Sequence, residues 1–212
     1  MSLQVTTFVN GNWQQNCYVV TNSEGAALLI DPGSQAQDII SLVDRNRWQV
    51  HAIVNTHAHF DHVGAVAELK EHYKVPFYLH AADESLLKRA NFYRLVFGTT
   101  EPIRIPSVTH DISDIPETCG IGPFTVSWIG TPGHTEGSVG LLLENFLFSG
   151  DTLMHNAVGR TDLPGGNLAQ LSASLRKLMT LPGETVVCGG HGKTTTIMAA
   201  FSAGSPAWKL LQ

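Results

Sequence analysis

Cysteine is scarce in this chain of 212 residues, and its three cysteines are too widely spaced to act together. Cys17, Cys119 and Cys188 form no Cys-x-x-Cys pair, and their odd number does not fit a disulfide framework. A cysteine-rich structural zinc site is therefore not expected. We interpret all three as reduced thiols of a cytoplasmic protein, with Cys188 as a buried structural thiol.

Long apolar runs and basic stretches are also missing. The longest apolar runs are far too short to span a bilayer, and the first residues lack the basic and apolar regions of a signal peptide. Charged residues make up only 15% of the chain, the formal net charge is −5, and no stripe rich in Lys and Arg is visible. We therefore expect neither a membrane nor a nucleic acid as a partner.

Hydrophobic residues make up 43% of the chain, which fits a globular domain with a sizeable core. The apolar periodicity predicts strands followed by helices, twice along the chain. This order favours an α/β fold with two sheet halves and helices on the outside. The predicted strands are 5–9, 17–21, 26–30, 50–54, 77–79, 124–129, 138–143, 146–149 and 184–187, and the predicted helices are 37–47, 63–73, 82–96 and 167–180.

The strongest chemical signal is a segment of three imidazoles and a carboxylate that follows the predicted strand 50–54. Its sequence is Thr56-His57-Ala58-His59-Phe60-Asp61-His62. Imidazole and carboxylate together are ligands for zinc, iron or manganese. His57 and His59 are two residues apart, so on an extended segment they point the same way. Asp61 and His62 follow at the turn into a helix, so the segment can direct two ligand pairs at two points.

Further residues of metal-ligand type follow the ends of other predicted strands. They are Asp31, His134, Asp151 and His191, and each lies near Gly or Pro, where the backbone can bend sharply. Because the ends of neighbouring strands meet at one edge of a sheet, these residues can converge with the histidine segment. Two Asp ligands and a bridging hydroxide would offset most of the charge of two divalent cations and leave a modestly electrophilic centre. The ligands available would also leave an open position on each cation for water and substrate, which is typical of a catalytic site.

Together these residues resemble the metallo-β-lactamase superfamily, over residues 31–191. The resemblance implies a four-layer αββα sandwich with the site at one edge between the sheets. It implies two divalent cations, zinc first, with iron or manganese as alternatives. The implied ligands are His57, His59 and His134 for one cation, Asp61, His62 and His191 for the other, and Asp151 as a bridge between them. Asp61 and Asp151 would also be catalytic. Asp31 would bind no cation but would orient one of the ligands.

Within the superfamily, the segments around His134 and Asp151 resemble the glyoxalase II-like branch. True β-lactamases of the commonest class usually have Cys where Asp151 stands. The resemblance implies a hydrolase of a thioester such as S-lactoylglutathione, an enzyme of the hydroxyacylglutathione hydrolase type in methylglyoxal detoxification, with a metal-bridging hydroxide as nucleophile. Arg160 stands where a basic residue of glyoxalase II helps to hold glutathione, so we expect it to bind substrate.

Two features depart from glyoxalase II. Asp162 stands where that family has an aromatic side chain, and its carboxylate would repel an acidic tripeptide. Only about twenty residues follow His191 in place of the C-terminal helical domain that completes the glutathione pocket. We therefore expect one short domain over residues 1–212 that holds a glutathione conjugate, or another small thioester, more loosely. His155 is expected in a loop bordering the cleft, and the tryptophans are interpreted as packing residues.

Three alternatives stay open at this point. A persulfide dioxygenase would use one iron held by His57, His134 and Asp151, and such enzymes keep the same histidines. A non-catalytic protein of the same fold would bind metal without turnover. A metallo-hydrolase of the same fold could also act on another substrate.

Overall fold

Two six-stranded β-sheets form the centre of the computed structural model, which describes residues 2–212. In spatial order the first sheet contains β1 (Gln4–Asn10), β2 (Gln15–Thr21), β3 (Ala26–Ile30), β4 (Gln49–Val54), β5 (Phe77–Leu79) and β6 (His110–Asp111). The second contains β14 (Thr195–Thr196), β13 (Val186–Gly189), β10 (Phe146–Gly150), β9 (Val139–Leu143), β8 (Phe124–Gly130) and β7 (Thr118–Ile121). A separate two-stranded ribbon pairs β11 (Leu153–Met154) with β12 (Ala157–Val158).

The helices lie along the outer faces of these sheets. They are α1 (Ala36–Asn46), α2 (Phe60–Val63), α3 (Val66–Tyr73), α4 (Glu84–Lys88), α5 (Ala90–Val96), α6 (Leu168–Leu178), α7 (Ile197–Ala200) and α8 (Pro206–Leu210). In α6, Leu171, Leu175 and Leu178 are fully buried at helical spacing, and the Asn167 side chain caps its first turn. Between residues 2 and 212, no helix is long and apolar enough to cross a membrane.

Three apolar clusters separate four layers. Successive side chains of a strand point to opposite faces of its sheet, so Leu28 and Ile30 of β3 pack between the sheets, whereas Leu29 packs beneath the outer helices. In the second sheet, Phe148 of β10 faces the first sheet and Leu147 packs against α6. The predicted four-layer αββα sandwich is therefore confirmed.

Both predicted helices that flank β5 are divided in the structure. The short helix α2 ends at Val63, the first residue of the predicted helix 63–73, and α3 begins only at Val66. Gly64 lies at this break, where an added Cβ would overlap the carbonyl oxygen of Gly33, so the backbone packs directly on the loop after β3. The predicted helix 82–96 divides at Arg89 into α4 and α5, after a 3₁₀ turn at Ala81–Asp83. The last predicted core strand, 184–187, lies at Val186–Gly189 instead.

The strands that precede the candidate ligands end at one edge of the sandwich. β3 and β4 are parallel in the first sheet, and β10 runs parallel to β13 and, through β9, to β8 in the second. Backbone hydrogen bonds join the two sheets at this edge. Val139 N donates to Thr56 O at 2.9 Å, and Asn16 N donates to Gly190 O at 2.8 Å.

Candidate metal centre

Three imidazoles form the first ligand group. One ring nitrogen each of His57, His59 and His134 lies within 4.8 Å of the other two. His59 Nδ1 and His134 Nε2 are 2.9 Å apart. All three residues are buried, and they come from the loops after β4 and β8, one from each sheet. Three imidazoles directed at one point are a typical set for a divalent transition metal.

The second ligand group combines a carboxylate with two imidazoles. Ligand atoms of Asp61, His62 and His191 also lie within 4.8 Å of one another. Asp61 Oδ2 is 3.4 Å from His191 Nε2 and 3.9 Å from His62 Nε2. Asp61 and His62 lie in α2, whereas His191 follows β13, so this group too joins the two sheets.

Asp151 lies between the two groups, directly after β10. Its Oδ1 is 3.5 Å from His62 Nε2. Its Oδ2 is 3.5 Å from His134 Nε2 and 3.7 Å from His191 Nε2. The carboxylate therefore faces both ligand groups at once, as a bridging ligand must.

Asp31 lies behind the ligands. Its Oδ1 accepts from Thr56 N at 2.7 Å, and its Oδ2 faces Thr56 Oγ1 at 2.6 Å and His62 Nδ1 at 3.0 Å. The Thr56 hydroxyl in turn lies 3.0 Å from His57 Nδ1. Both imidazoles are thus held through Nδ1, which leaves Nε2 of each directed at the ligand groups.

Backbone carbonyls orient two further imidazoles. His134 Nδ1 donates to Arg160 O at 2.9 Å, and His191 Nδ1 donates to Trp13 O at 3.0 Å. A carbonyl oxygen can only accept, so Nδ1 carries the proton and Nε2 of each ring has a free lone pair. Neither contact is visible in the sequence pattern, because both depend on how distant loops pack.

The charge state of the site suits cations. Burial and the neighbouring imidazoles lower the pKa of His57 far below its ordinary value and that of His59 to about 3, so both rings are neutral near pH 7. At His62 burial also acts downward, but Asp151, Asp61 and Asp31 outweigh it and raise the pKa to about 9. Burial would raise the pKa of Asp61, yet His62 and His191 hold it below its usual range. The carboxylates therefore favour positive charge at this point.

The residues present fit two divalent cations. Over residues 2–212, six buried side-chain atoms have no hydrogen-bond partner, and three of them are His57 Nε2, His62 Nε2 and Asp151 Oδ1. A buried polar atom without a partner costs about 1–3 kcal/mol, so such atoms call for an explanation. All three belong to predicted ligands and point into the two groups. Cation binding there would give each of them a partner.

Glycines allow the ligand loops to pack tightly. An added Cβ at Gly190 would overlap Asp151 Oδ1 and lie 2.6 Å from His62 Cε1. At Gly150, with φ +49°, it would lie 2.8 Å from Thr56 Cβ, and the backbone conformation itself disfavours other residues. The glycines beside Asp151 and His191 in the sequence are therefore part of the site's construction.

Arg160 is placed at the site, but its side chain is already paired. Its guanidinium donates to both carboxylate oxygens of Asp162, at 2.7 and 2.6 Å, and both side chains are exposed. This ion pair stabilises the charged form of each side chain. Asp162 raises the pKa of Arg160, and Arg160 lowers the pKa of Asp162 to about 2. His155 is exposed in the nearby turn between β11 and β12.

Asp83 is a functional candidate that no motif in the sequence indicates. It is 1% exposed, and its carboxylate accepts from Ala58 N at 2.9 Å, Thr135 Oγ1 at 2.9 Å and Gly137 N at 2.8 Å. Burial raises the pKa of Asp83, and these hydrogen bonds act in the opposite direction. An acidic residue at the start of a helical segment is too common a signal to have revealed this role.

A cavity of about 180 Å³ opens beside the ligand groups. Its walls combine predicted ligands with aromatic and apolar side chains, which are Trp13, Phe60, Tyr93, Phe97 and Leu163, and Arg160 also lines it. The sequence predicts a packing role for Trp13, yet Trp13 lies at the cavity and is 44% exposed. A single tryptophan in a turn gave no signal of this position.

Curated proteins of similar length resemble this chain. An uncharacterized protein of Aquifex aeolicus is 39% identical over 86% of each chain. The probable metallo-hydrolase YqgX of Bacillus subtilis is 36% identical over 89% of this chain and 90% of its own. The hydroxyacylglutathione hydrolase GloC of Haemophilus influenzae is 31% identical over 87% of this chain and 89% of its own.

Solved structures share the fold across the whole chain. TTHA1623, crystallised in a di-iron-bound form, matches with a TM-score of 0.85 and 36% identity over 95% of this chain and 99% of its own. BLEG-1, a B3 metallo-beta-lactamase, matches with a TM-score of 0.83 and 35% identity over 96% and 98%. ETHE1 from Myxococcus xanthus matches with a TM-score of 0.77 and 25% identity over 98% and 88%.

The sequence profile of one family covers residues 10–191, which include every candidate ligand. Members of that family bind divalent metals and are mostly metal-dependent hydrolases, in keeping with the clusters of His and Asp found here. The chain belongs to the metallo-beta-lactamase superfamily.

Proposed function

We propose that this chain is a metal-dependent hydrolase of thioesters, such as S-lactoylglutathione, and that it works with two divalent cations. The observation that carries the proposal is the position of Asp151. Its two carboxylate oxygens each lie 3.5 Å from an imidazole of a different ligand group, His62 on one side and His134 on the other. A single carboxylate shared in this way supports two cations side by side better than one.

Each ligand group has a defined role in this proposal. His57, His59 and His134 would hold one cation, Asp61, His62 and His191 the other, and Asp151 both. When bound, two such cations lower the pKa of a water molecule and polarise a carbonyl oxygen. Asp31 keeps His62 in the required orientation, and the carbonyls of Arg160 and Trp13 do the same for His134 and His191.

The chemistry of a thioester suits this site. A thiolate is a good leaving group, so its departure needs no strong general acid. The resemblance to GloC of Haemophilus influenzae, a hydroxyacylglutathione hydrolase, supports a thioester as substrate. Zinc is the first choice of metal, and the di-iron-bound form of TTHA1623 supports iron as an alternative. The three free cysteines favour the cytoplasm as its place of action.

A persulfide dioxygenase with one iron is the second candidate. His57, His134 and Asp151 would hold that iron. The rings of His57 and His134 are 4.9 Å apart between centroids, and His134 Nε2 is 3.5 Å from Asp151 Oδ2. The similarity to ETHE1 supports this candidate. Under it, Asp61 would be dispensable as a ligand, because it belongs only to the second group.

The test combines elemental analysis with the hydrolysis of S-lactoylglutathione, using the wild type and Asp61→Asn. The proposal expects about two metal ions per wild-type chain, chelator-sensitive hydrolysis, and loss of both one ion and most activity in Asp61→Asn. The exposed Asp114→Asn is the matched control and should behave as wild type. About one iron per chain in both proteins, no hydrolysis, and oxygen uptake with glutathione persulfide would favour the dioxygenase instead.

A further inference from the structure

Three aromatic rings form one wall of the cavity at the metal centre. The ring centroids of Trp13 and Phe60 are 5.7 Å apart, those of Trp13 and Phe97 are 5.7 Å apart, and those of Phe60 and Phe97 are 5.6 Å apart. We refer to Trp13, Phe60 and Phe97 as the aromatic wall. It lines the same cavity as the ligands Asp61 and Asp151, so it faces whatever binds beside them.

The wall leaves apolar surface open to solvent. Trp13 is 44% exposed and Phe97 is half-buried, whereas Phe60 is buried behind them. A large aromatic ring gains roughly 1.5–3 kcal/mol from full burial, so an apolar partner would be favoured on this surface. Tyr93 and Leu163 extend the apolar lining beside it.

The cationic group at the cavity is not free to attract an acidic ligand. Arg160 lines the cavity, but Asp162 pairs with it through two hydrogen bonds of 2.7 and 2.6 Å. Their charges cancel at short range, and solvent screens what is left of so exposed a pair. Selectivity at this opening therefore rests more on apolar contact than on charge.

The cavity is large enough for an aromatic ring. Its volume is about 180 Å³, and an apolar cavity of about 150 Å³ can bind benzene. A ring seated on the aromatic wall would lie next to Asp61 and Asp151, and hence next to the reacting bond. Offset or edge-to-face contacts with the accessible rings of Trp13 and Phe97 would favour an aromatic group over an aliphatic group of equal size.

We infer that the aromatic wall binds an apolar group, preferentially an aromatic ring, that is attached next to the scissile bond of the substrate. This inference rests on the proposed thioester hydrolysis and narrows its substrate class. The apolar group can belong to the acyl half or to the thiol half of the thioester. Substrates that carry the ring on one half or on the other distinguish these two sources.

Trp13 makes the inference testable because its backbone and its side chain act separately. Its carbonyl oxygen orients His191, whereas its ring belongs to the wall. Replacing the side chain therefore removes the ring and keeps the backbone acceptor. Phe97 directly follows α5, in a segment of the chain that supplies no predicted ligand, so its ring can be removed independently.

The experiment measures kcat/KM of the metal-loaded protein for three thioesters. These are the acetyl thioester of a polar thiol, the phenylacetyl thioester of the same thiol, and the acetyl thioester of phenylmethanethiol. We expect one of the two phenyl compounds to exceed the first by about tenfold or more, as for burial of a ring in an apolar pocket. The better compound identifies the half of the substrate that contacts the wall.

The variants locate the source of this preference. Trp13→Ala and Phe97→Ala should each lower the ratio between phenyl and non-phenyl substrates by about tenfold, and Trp13→Phe should restore most of it. Leu95→Ala is the matched control, because Leu95 is an exposed apolar residue of α5 and is not part of the wall. Metal content is measured for every variant, so that a lost ligand is not mistaken for a lost ring.

A binding measurement separates this inference from the proposed function. Calorimetry compares 3-phenylpropionate with propionate on the metal-loaded protein. If the wild type binds the phenyl acid more tightly and Trp13→Ala does not, the aromatic wall binds an aromatic ring, even if no thioester is cleaved. Thioester hydrolysis with equal kcat/KM for all three substrates would contradict the inference that the aromatic wall binds substrate, and would leave the proposed function intact. Equal binding of the two acids would also contradict this inference.

Discussion

Asp83 accepts a hydrogen bond at 2.9 Å from the backbone N–H of Ala58, the residue between His57 and His59. The same buried carboxylate accepts from Thr135 Oγ1 and Gly137 N, just after His134. One side chain thus links the two segments that supply the first ligand group. It touches none of the three imidazoles, so it acts as a positioning residue.

The substitution Asp83→Asn should weaken the first cation position selectively. The Asn side chain has one acceptor oxygen where Asp has two, because its NH2 group only donates. At least one of the hydrogen bonds from Ala58, Thr135 or Gly137 is therefore lost. We expect metal affinity at one of two positions to fall about 10–100-fold, the range for groups that orient metal ligands. Calorimetric zinc titration of the metal-free protein measures both positions. A merely structural role would lower stability without separating the two affinities.

Asp111→Asn provides the control. Asp111 also accepts from backbone N–H groups, those of Ala81 and Ser113 at 2.9 Å each, but it lies at the end of β6 and holds no ligand segment. Its substitution should leave both zinc affinities unchanged. Equal affinities in Asp83→Asn and wild type would show that Asp83 does not position the first group.

The candidate ligands could be predicted from the sequence because their signal is local. His57, His59, Asp61 and His62 occupy one short segment, and Asp151 and His191 follow short apolar strands beside glycines. Strand ends meet at one edge of a sheet whatever the details of the loops. The αββα layers could be predicted for the same reason, since alternating and helical periodicities are properties of single segments.

Asp83 and Trp13 could not be found in this way. Asp83 is 25 residues from Ala58 and 52 residues from Thr135, and no local pattern links such positions. Trp13 is 178 residues from His191, which its carbonyl orients. The division of the predicted helix 63–73 was missed because it depends on contact between Gly64 and Gly33, two distant glycines.

The substitution Asp151→Ala should affect both cation positions together. Its carboxylate faces His62, His134 and His191, so its loss removes the ligand that both groups share and leaves the first group with no carboxylate. We expect hydrolysis of a thioester to fall by at least about 100-fold, comparable to the loss of one group that stabilises a transition state. The assay is paired with elemental analysis. Full activity, or full content of both metals, would contradict the bridging assignment.

Removing the metal should destabilise the fold. A ligand that binds only the native state stabilises it by about 2.7 kcal/mol at a concentration of 100 times its Kd. For a domain of this size that corresponds to a Tm change of about 5–10 °C. We therefore expect a chelator to lower Tm by this amount and added zinc to restore it. An unchanged Tm would show that the two groups bind no cation in the native state.

The pair of Arg160 and Asp162 predicts a gain of affinity for acidic substrates. In Asp162→Asn the guanidinium loses its anionic partner and becomes available at the cavity that it lines. We expect KM for a glutathione thioester to fall several-fold at low salt, with a smaller effect at high salt because the charge is exposed. Glu71→Gln, which breaks the exposed pair with Arg104, is the control and should leave KM unchanged. An unaltered KM in Asp162→Asn would show that Arg160 does not meet the substrate.

The substitution Gly190→Ala should damage the site without disturbing the rest of the fold. An added Cβ would overlap Asp151 Oδ1 and approach His62 Cε1 to 2.6 Å, so the Asp151 carboxylate and the His62 imidazole would have to move. A displacement of this kind at a catalytic centre commonly costs about 100-fold in rate.

Gly130→Ala is the matched control, because Gly130 ends β8 before the His134 loop and an added Cβ there has no neighbour within 4 Å. We expect Gly130→Ala to retain activity and metal, whereas Gly190→Ala loses both and keeps its circular dichroism spectrum. Equal activity of the two variants would mean that the backbone at Gly190 can yield without moving Asp151.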